Sequence, residues 1–369
     1  MPSPYGGTEM HVYYLANSLA AQGVEVHLVA DGDPAAFAPG VTLHPIRFHG
    51  EWSARLGFTG YALQHLLGGW AAYRAARPLL KEFPIVHAHG RWAPYFLSRH
   101  NDVRLVFTLH DSPPTPWLTS NLWRRVIYSG WHHLGASKIP MCSFHNIVVA
   151  RDALEELRER GVPMEKCSHI SNGVDTGLFH PRPARIPDTI VFVGSLIPRK
   201  GVKYLLQAMT SLPERYRLEI AGDGPSRAKL EEAVSQLGLT GRVAFLGALT
   251  QHELAELLGR CHTFVLPSLS EGLPLSLLEA MASGCAVVST DVSGIKDLVT
   301  DEVTGLLVPP ADPQALAQAV LRVLSDEELS KRLTSNALAL VQERYSWESV
   351  AKRVAAVYAS VLEDGNPSP

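Results

Sequence analysis

The sequence predicts an α/β protein made of two doubly wound domains with parallel sheets. Its 369 residues exceed the roughly 250–300 at which a single hydrophobic core stops growing. Short β-branched runs alternate with longer segments of helical periodicity in both halves, as expected for parallel strands joined by crossover helices. Residues 171–188 contain Asn172-Gly173 and three prolines, a composition typical of a linker between domains.

In the first half, residues 8–22 have the apolar spacing of a helix, and Gly23 provides its stop. The predicted strands of this half are residues 24–30, 85–88, 105–109 and 146–150. Prolines at 113, 114 and 116 predict an extended loop after His110.

In the second half, strands are predicted at residues 189–193, 217–220, 243–246, 262–266, 286–289 and 305–308, each followed by a helical stretch. A last apolar-periodic helix covers residues 346–362, with Ser346 as its N-cap. The second half therefore repeats the design of the first.

Composition excludes several classes of protein. A formal net charge of −3 provides no field for nucleic acid, so no nucleic-acid partner is expected. The four cysteines include no C-x-x-C pair, which argues against a zinc cage or a disulfide framework. The sequence has no apolar stretch of membrane-spanning length and no signal pattern at residue 1, so we expect a cytoplasmic protein.

The first half has three candidate ligand-binding segments, one at a predicted helix start and two at the ends of predicted strands. Gly6 and Gly7 stand at a predicted helix start, where free amides and the helix dipole attract anions, although a plain turn explains the pair as well. His87 and His89 stand at the end of the strand predicted at residues 85–88, and His110 follows the strand predicted at 105–109. We expect His87 and His89 to be packed residues, whereas His110 fits a packed or a functional role equally.

The second half offers two further candidates. Arg199 and Lys200 end a loop after a strand, where adjacent cations can clamp a diphosphate; a solvated turn is the alternative. Glu271 precedes a helix predicted to begin at Pro274, and the amides of Gly272 and Leu273 add capacity to bind an anion.

Glu279 lies inside this predicted helix among apolar residues. A buried carboxylate there needs a partner, such as a ribose diol, because an unpaired buried charge is costly. An ordinary helix with Glu279 on its exposed face is the alternative.

Several motifs occur together in a shared order: Gly6-Gly7-Thr8-Glu9, His110, Asn172 to Asp175 with Phe179, Val193 to Gly201, and Glu271 and Glu279 with seven residues between them. In this order and spacing, over nearly the whole chain, they resemble the retaining glycosyltransferases of family 4. The resemblance implies the GT-B fold, in which two Rossmann-like domains face a cleft. It also implies sugar transfer from a nucleotide sugar, UDP- or GDP-linked, with no metal and no cofactor.

Carried over residue by residue, the resemblance makes His110, Lys200 and Glu271 the catalytic candidates. Lys200 with Arg199 would bind the diphosphate, Glu271 the sugar hydroxyls and Glu279 the ribose. Gly6, Gly7, Ser195, Gly272 and Leu273 complete the donor site.

The resemblance also implies domain bounds. An acceptor-side domain of residues 1–171, completed by a C-terminal helix of residues 346–363, would precede a nucleotide-sugar domain of residues 172–345.

Two departures from the family pattern bear on these expectations. Many relatives place Arg directly after the loop glycine, where this chain has Ser195, so Arg199 would supply the missing charge. The family also has a strand before the diglycine, and residues 1–5 contain two prolines and predict none. We therefore expect an incomplete first sheet or an upstream start.

Other functions remain open at this point. A nucleotide-sugar-binding protein without transfer activity and a nucleotide-sugar epimerase would use the same fold. The acceptor would be a carbohydrate, a lipid-linked sugar or a small molecule.

An aromatic and basic stretch between Trp117 and Trp131 fits peripheral contact with the inner face of a membrane, or a helix in the core. The carboxylates of Asp31 and Asp33 fit a turn better than a metal site.

Overall fold

A computed structural model describes residues 7–46, 57–89, 92–97, 103–110, 138–149, 151–183 and 185–363. The chain divides into two compact units, Met1–Ser171 with Val350–Pro369 (unit 1) and Asn172–Ser349 (unit 2). In the described part of the chain, no helix is both long enough and apolar enough to cross a membrane.

Unit 1 is an α/β unit with parallel strands. Its strands are β1 (Val26–Ala30), β2 (Val41–Pro45), β3 (Ile85–Ala88), β4 (Arg104–Leu109), β5 (His145–Val148) and β6 (Cys167–His169). Its helices are α1 (Gly7–Ala21), α2 (Gly57–Ala76), α3 (Trp92–Leu97), α4 (Lys138–Cys142) and α5 (Asp152–Glu159).

The strands of unit 1 form two separate sheets. One has the order β1-β2 and the other β3-β4-β5-β6, and every pair is parallel. Between β1 and β3 lies a cavity of about 1030 Å³, lined by both strands, by α1 and by the C-terminal residues Ala355, Tyr358 and Leu362. Parallel strands are normally covered and paired on both sides. Among the described residues, no strand lies in this cavity to join β1 to β3.

The C-terminal helix α12 (Trp347–Glu363) contributes to unit 1 from Val350 onward. Tyr358 Oη lies 2.6 Å from His87 Nδ1 in β3. Arg104 of β4 donates from Nη1 to the carbonyl oxygen of Val361 at 2.8 Å. These bonds hold the last helix against the larger sheet.

Unit 2 repeats the alternation of strands and helices. Its strands are β7 (Thr189–Val193), β8 (Arg217–Ala221), β9 (Val243–Gly247), β10 (Thr263–Leu266), β11 (Ala286–Thr290) and β12 (Leu306–Val308). Its helices are α6 (Val202–Thr210), α7 (Arg227–Gln236), α8 (Gln251–Arg260), α9 (Leu275–Ala282), α10 (Pro313–Ser325) and α11 (Glu327–Arg344).

One parallel six-stranded sheet with the order β12-β11-β10-β7-β8-β9 forms the centre of unit 2. Phe264 of β10 pairs with Val191 of β7 and Val287 of β11, and all three side chains are fully buried. The strand order reverses between β7 and β10, and ligands of open α/β sheets bind beyond the carboxyl ends of strands at such a switch point. The loops after β7 and β10 meet there.

The predicted strands and the helices at residues 8–22 and 346–362 are confirmed to within a few residues, but two strands were missed. The helical stretch predicted after the strand at residues 286–289 was wrong, because only turns connect β11 to β12. β2 and β6 are short edge strands, and β6 has the sequence Cys-Ser-His, which lacks the β-branched pattern. The prediction that Pro274 is the first helical residue was wrong, because α9 begins at Leu275 and Pro274 has the extended backbone of an N-cap.

Candidate active site

The cations predicted after β7 lie in a single 3₁₀ turn, Pro198–Lys200. Gly201 ends the turn with a φ of 67°, and a Cβ at this position would lie 1.9 Å from the carbonyl oxygen of Pro267. Only glycine permits this approach. The amide of Leu269 also donates to the carbonyl oxygen of Arg199 at 2.8 Å. The local backbone therefore fixes the cation turn against the loop that follows β10.

Glu271 bonds to both cations. Lys200 Nζ lies 2.6 Å from Glu271 Oε1, and Arg199 Nη1 lies 3.2 Å from Oε2. The Glu271 side chain is only 5% exposed and that of Lys200 13%. Charge-assisted bonds of this kind are stronger than neutral ones. The structure thus brings together two motifs that are distant in the sequence, since Lys200 and Glu271 are 71 positions apart.

A third donor to Glu271 is Ser268, which the sequence analysis missed. Ser268 is fully buried, and its hydroxyl donates to Glu271 Oε1 at 2.5 Å. Thr290 Oγ1 donates to the carbonyl oxygen of Ser268, also at 2.5 Å. No motif indicates Ser268, because its role depends on the side-chain direction of a residue three positions later.

The backbone at the start of α9 provides amides beside this cluster. Gly294 packs on it so closely that a Cβ there would lie 1.6 Å from the carbonyl oxygen of Gly272. Asn172 Nδ2 donates to the carbonyl oxygen of Leu273 at 3.4 Å. Within the described residues the amides of Gly272 and Leu273 have no hydrogen-bond acceptor. They remain available to an anion.

Ser195, by contrast, is exposed and takes no part in the ionic cluster. Its carbonyl oxygen accepts a bond from the amide of Ile197. The neighbouring Gly194 lies beside the Lys200 side chain, whose Cε is 3.6 Å from the position of a Gly194 Cβ. A Cβ at this distance would make ordinary van der Waals contact with the lysine. The positive charges of this loop are those of Arg199 and Lys200.

Glu279 occupies the interior of α9 and is partly buried. Burial raises the pKa of its carboxyl group to about 7. Among the described residues, none donates a hydrogen bond to this carboxylate. A partly buried acceptor without a donor is suited to a ligand that brings hydroxyl groups.

In unit 1, His110 belongs to a cluster of imidazoles at the ends of β3 and β4. His89 Nδ1 and His110 Nε2 lie 3.1 Å apart, and the buried ring of His11 in α1 is 4.6 Å from that of His110. His87 is held by Tyr358 and by Thr108 Oγ1 at 2.6 Å, which confirms it as a packed, hydrogen-bonded residue. His11, which precedes the other histidines by a helix and two strands, was not predicted from the sequence.

Burial and the neighbouring histidines lower the pKa values of His89 and His110 well below the usual range. The pKa of His87 falls to about 3, mainly through burial. The imidazoles are therefore neutral at pH 7, the form that accepts hydrogen bonds and binds metals. In the described part of the chain, His11, His89 and His110 are the only group able to hold a metal ion, with ligand atoms within 4.8 Å of one another.

Other predicted residues lie apart from these clusters. Asp33 accepts a bond from the amide of Ala35 and caps a 3₁₀ turn, so the turn interpretation of Asp31 and Asp33 is supported. Gly7 is the first residue of α1, while Gly6 and the aromatic stretch between Trp117 and Trp131 lie outside the described residues.

Comparisons with known proteins cover both units. Residues 181–339 match the family profile described as "Glycosyl transferases group 1", and residues 5–178 match that described as "Glycosyltransferase Family 4". A subunit of the phosphatidylinositol N-acetylglucosaminyltransferase of Arabidopsis thaliana is 32% identical over 99% of this chain and 81% of that protein. An uncharacterized glycosyltransferase from Methanocaldococcus jannaschii is 39% identical, and that match spans 47% of this chain and 45% of the relative.

Among solved structures, the Anabaena protein HepE in complex with UDP and glucose superposes with a TM-score of 0.75. The superposition covers 98% of both chains at 20% sequence identity, so it shows a shared fold.

Proposed function

Because the chain belongs to glycosyltransferase family 4 and has the GT-B fold, we propose that it transfers a hexosyl unit from a UDP- or GDP-linked sugar to an acceptor hydroxyl with retention at the anomeric carbon. Sugar transfer is the activity of this glycosyltransferase family. Our proposal concerns the donor, the stereochemistry and the acceptor. The acceptor-side domain would be unit 1 and the donor domain unit 2.

The ionic cluster at the switch point of unit 2 carries this proposal. Lys200 and Arg199 are two neighbouring cations that both bond to one carboxylate, Glu271. The backbone amides of Gly272 and Leu273, which have no acceptor among the described residues, also favour an anionic ligand. A diphosphate matches this set, because two phosphate groups can engage the cations and the helix start together.

The electrostatics suit a leaving group. When the bond between the sugar and the diphosphate breaks, about one additional negative charge develops on the phosphate oxygen. A fixed ammonium group stabilises this charge more in the transition state than in the bound substrate, which is the condition for faster chemistry. Lys200 is therefore our candidate for leaving-group stabilisation.

The remaining residues would position the donor and the acceptor. Glu271 would accept hydrogen bonds from the sugar hydroxyls and Glu279 from the ribose, for which its carboxylate lacks a protein donor. Gly7 would present its amide to the phosphates. His110, as a neutral imidazole, would accept or donate a hydrogen bond to the transferred sugar or the acceptor.

Retention follows if the acceptor attacks the face from which the diphosphate departs. The bond from the anomeric carbon to the phosphate oxygen breaks, and the bond to the acceptor oxygen forms on the same face. The acceptor proton passes to the departing phosphate oxygen. No enzymic base is needed in this scheme, and no metal ion takes part.

The similar proteins support a choice of ligands. HepE is described with UDP and glucose bound, and the Arabidopsis relative is named for transfer of N-acetylglucosamine to phosphatidylinositol. We therefore propose UDP as the first donor nucleotide to test and a lipid-linked or free carbohydrate as the acceptor.

A second candidate function is nucleotide-sugar binding without transfer. The ionic cluster favours it, because Arg199, Lys200 and Glu271 all lie in unit 2 and their mutual bonds involve no residue of unit 1. Tight donor binding with neither hydrolysis nor transfer across an acceptor panel would support this alternative.

A thermal-shift panel with UDP, GDP and ADP tests the proposal. A ligand that binds only the folded state raises Tm with its concentration, and we expect one nucleoside diphosphate to do so. The shift should be lost in Lys200→Ala and kept in Lys203→Ala, since Lys203 is exposed on the same stretch of chain and lies against Tyr204. No shift with any nucleotide, or equal shifts in both variants, would refute the proposed site.

A further inference from the structure

The three donors to Glu271 are of two kinds. Lys200 and Arg199 are cations, and their side chains are 13% and 40% exposed. Ser268 is neutral, fully buried, and bonded to the same oxygen as Lys200. A diphosphate in the site competes with Glu271 for the cations, because its charge is larger. The diphosphate does not compete for the Ser268 hydroxyl, because this hydroxyl is fully buried and its single proton is already donated to Glu271.

The backbone that carries Ser268 is tied to the sheet on its inner side. Ser268 follows β10 by two residues, and its carbonyl oxygen accepts a bond from Thr290 at the end of β11. One residue earlier in β11, Ser289 Oγ donates to the carbonyl oxygen of Leu266 at 2.8 Å. Both hydroxyls of β11 are buried. Ser268 is therefore held on rigid elements, whereas Lys200 has a flexible four-carbon stem.

From this geometry we propose that Ser268 is a positioning residue of the transfer reaction, holding the Glu271 carboxylate toward the sugar when the diphosphate draws Lys200 and Arg199 away. This inference rests on the proposed function. It adds a residue that acts through Glu271, and it assigns Glu271 two successive partners. Before donor binding the carboxylate neutralises the cations, and afterwards Ser268 alone maintains its orientation.

The substitution Ser268→Ala removes this donor and only one oxygen atom of side chain. We expect kcat for the nucleotide sugar identified by the thermal-shift panel to fall about tenfold or more, as for the loss of a hydrogen bond to a charged group. The Kd for the nucleoside diphosphate alone should stay within about twofold, because that ligand has no sugar for Glu271 to contact. Ser268→Thr, which retains the hydroxyl, should recover most of kcat.

Ser289→Ala is the matched control. It removes a hydroxyl of equal burial that bonds to the backbone of the same strand end but does not reach Glu271. It should match Ser268→Ala in Tm and leave kcat near the wild-type value. An equal loss of kcat in both serine variants would reduce Ser268 to a structural role and overturn the proposal.

A double-mutant cycle tests the route of the effect. In a Glu271→Ala background, Ser268→Ala should cause no additional loss of kcat, because the side chain that accepts its hydrogen bond is gone. Additive losses would overturn the proposal, as would unchanged kcat in Ser268→Ala. If Ser268→Ala does not fold, Ser268→Cys retains the size and a weaker donor, and its kcat must fall while its nucleotide Kd holds. Failure of the proposed function is separate, since the wild-type protein would then either bind no nucleoside diphosphate or bind one and show no transfer.

Discussion

Glu279→Gln should make the protein more stable at high pH and weaken its binding of the donor. The carboxylate is partly buried in α9 without a protein donor among the described residues, and burial raises its pKa from 4.5 to about 7. Glutamine retains the shape of the side chain and removes the charge that burial disfavours.

The magnitude follows from the pKa. At about 1.4 kcal/mol per pH unit, the rise in the pKa of Glu279 corresponds to a cost of about 3 kcal/mol in the folded state once the group is fully ionised. The folded protein holds this proton more tightly than the unfolded chain. The stability contributed at this site is therefore fully present below pH 4.5 and is lost as the pH rises through about 7. For a domain the size of unit 2, about 3 kcal/mol corresponds to a Tm increase of at most about 12 °C.

The assay is thermal unfolding of wild type and Glu279→Gln between about pH 4.5 and 8.5, a range that spans the shifted pKa. We expect equal Tm values at the acid end and a gap that widens with pH. Glu232→Gln, at an exposed position of α7, is the control and should show no such gap. A constant gap at all pH values, or no gap at the alkaline end, would refute the assignment of the effect to a buried ionised carboxylate.

Donor binding should show the reverse dependence. The ionised carboxylate accepts two hydroxyl hydrogens of a ribose better than the protonated acid, so the Kd for the nucleotide should increase as the pH falls below about 7. In Glu279→Gln this pH dependence should disappear and the Kd should be uniformly higher. A wild-type Kd that is flat across the same pH range would remove Glu279 from the ribose site.

The other predictions concern the rest of the site and unit 1. Lys200→Ala should lower kcat about a hundredfold and leave the fold intact, because Arg199 and Ser268 still bond to Glu271; normal turnover with a verified donor would show that Lys200 does not serve the leaving group. EDTA treatment should leave transfer unchanged, and activity restored by Zn²⁺ after its loss would instead assign the imidazole cluster a metal.

The features that were predictable from the sequence are those that depend on near neighbours. The strands at 85–88 and 189–193 were predicted with their bounds because alternating and apolar runs reflect burial directly. The short edge strands β2 and β6 were missed because an edge position places few demands on the side chains. In the second half, short motifs also named Lys200, Glu271 and Glu279 as donor-site residues, and that role stays a prediction.

The sequence by itself determined the alternation of strands and helices and the two parallel-sheet units, because local periodicity predicts both. It also determined the family, because the order of short motifs indicates it. Only the tertiary structure decided that Lys200 and Glu271 touch, that Ser268 is a third partner, and that Glu279 ionises near neutral pH. The physical reason is that pairing β7 with β10 joins loops 71 residues apart, and burial acts on a carboxylate through everything packed around it. Neither is encoded at any single position of the chain.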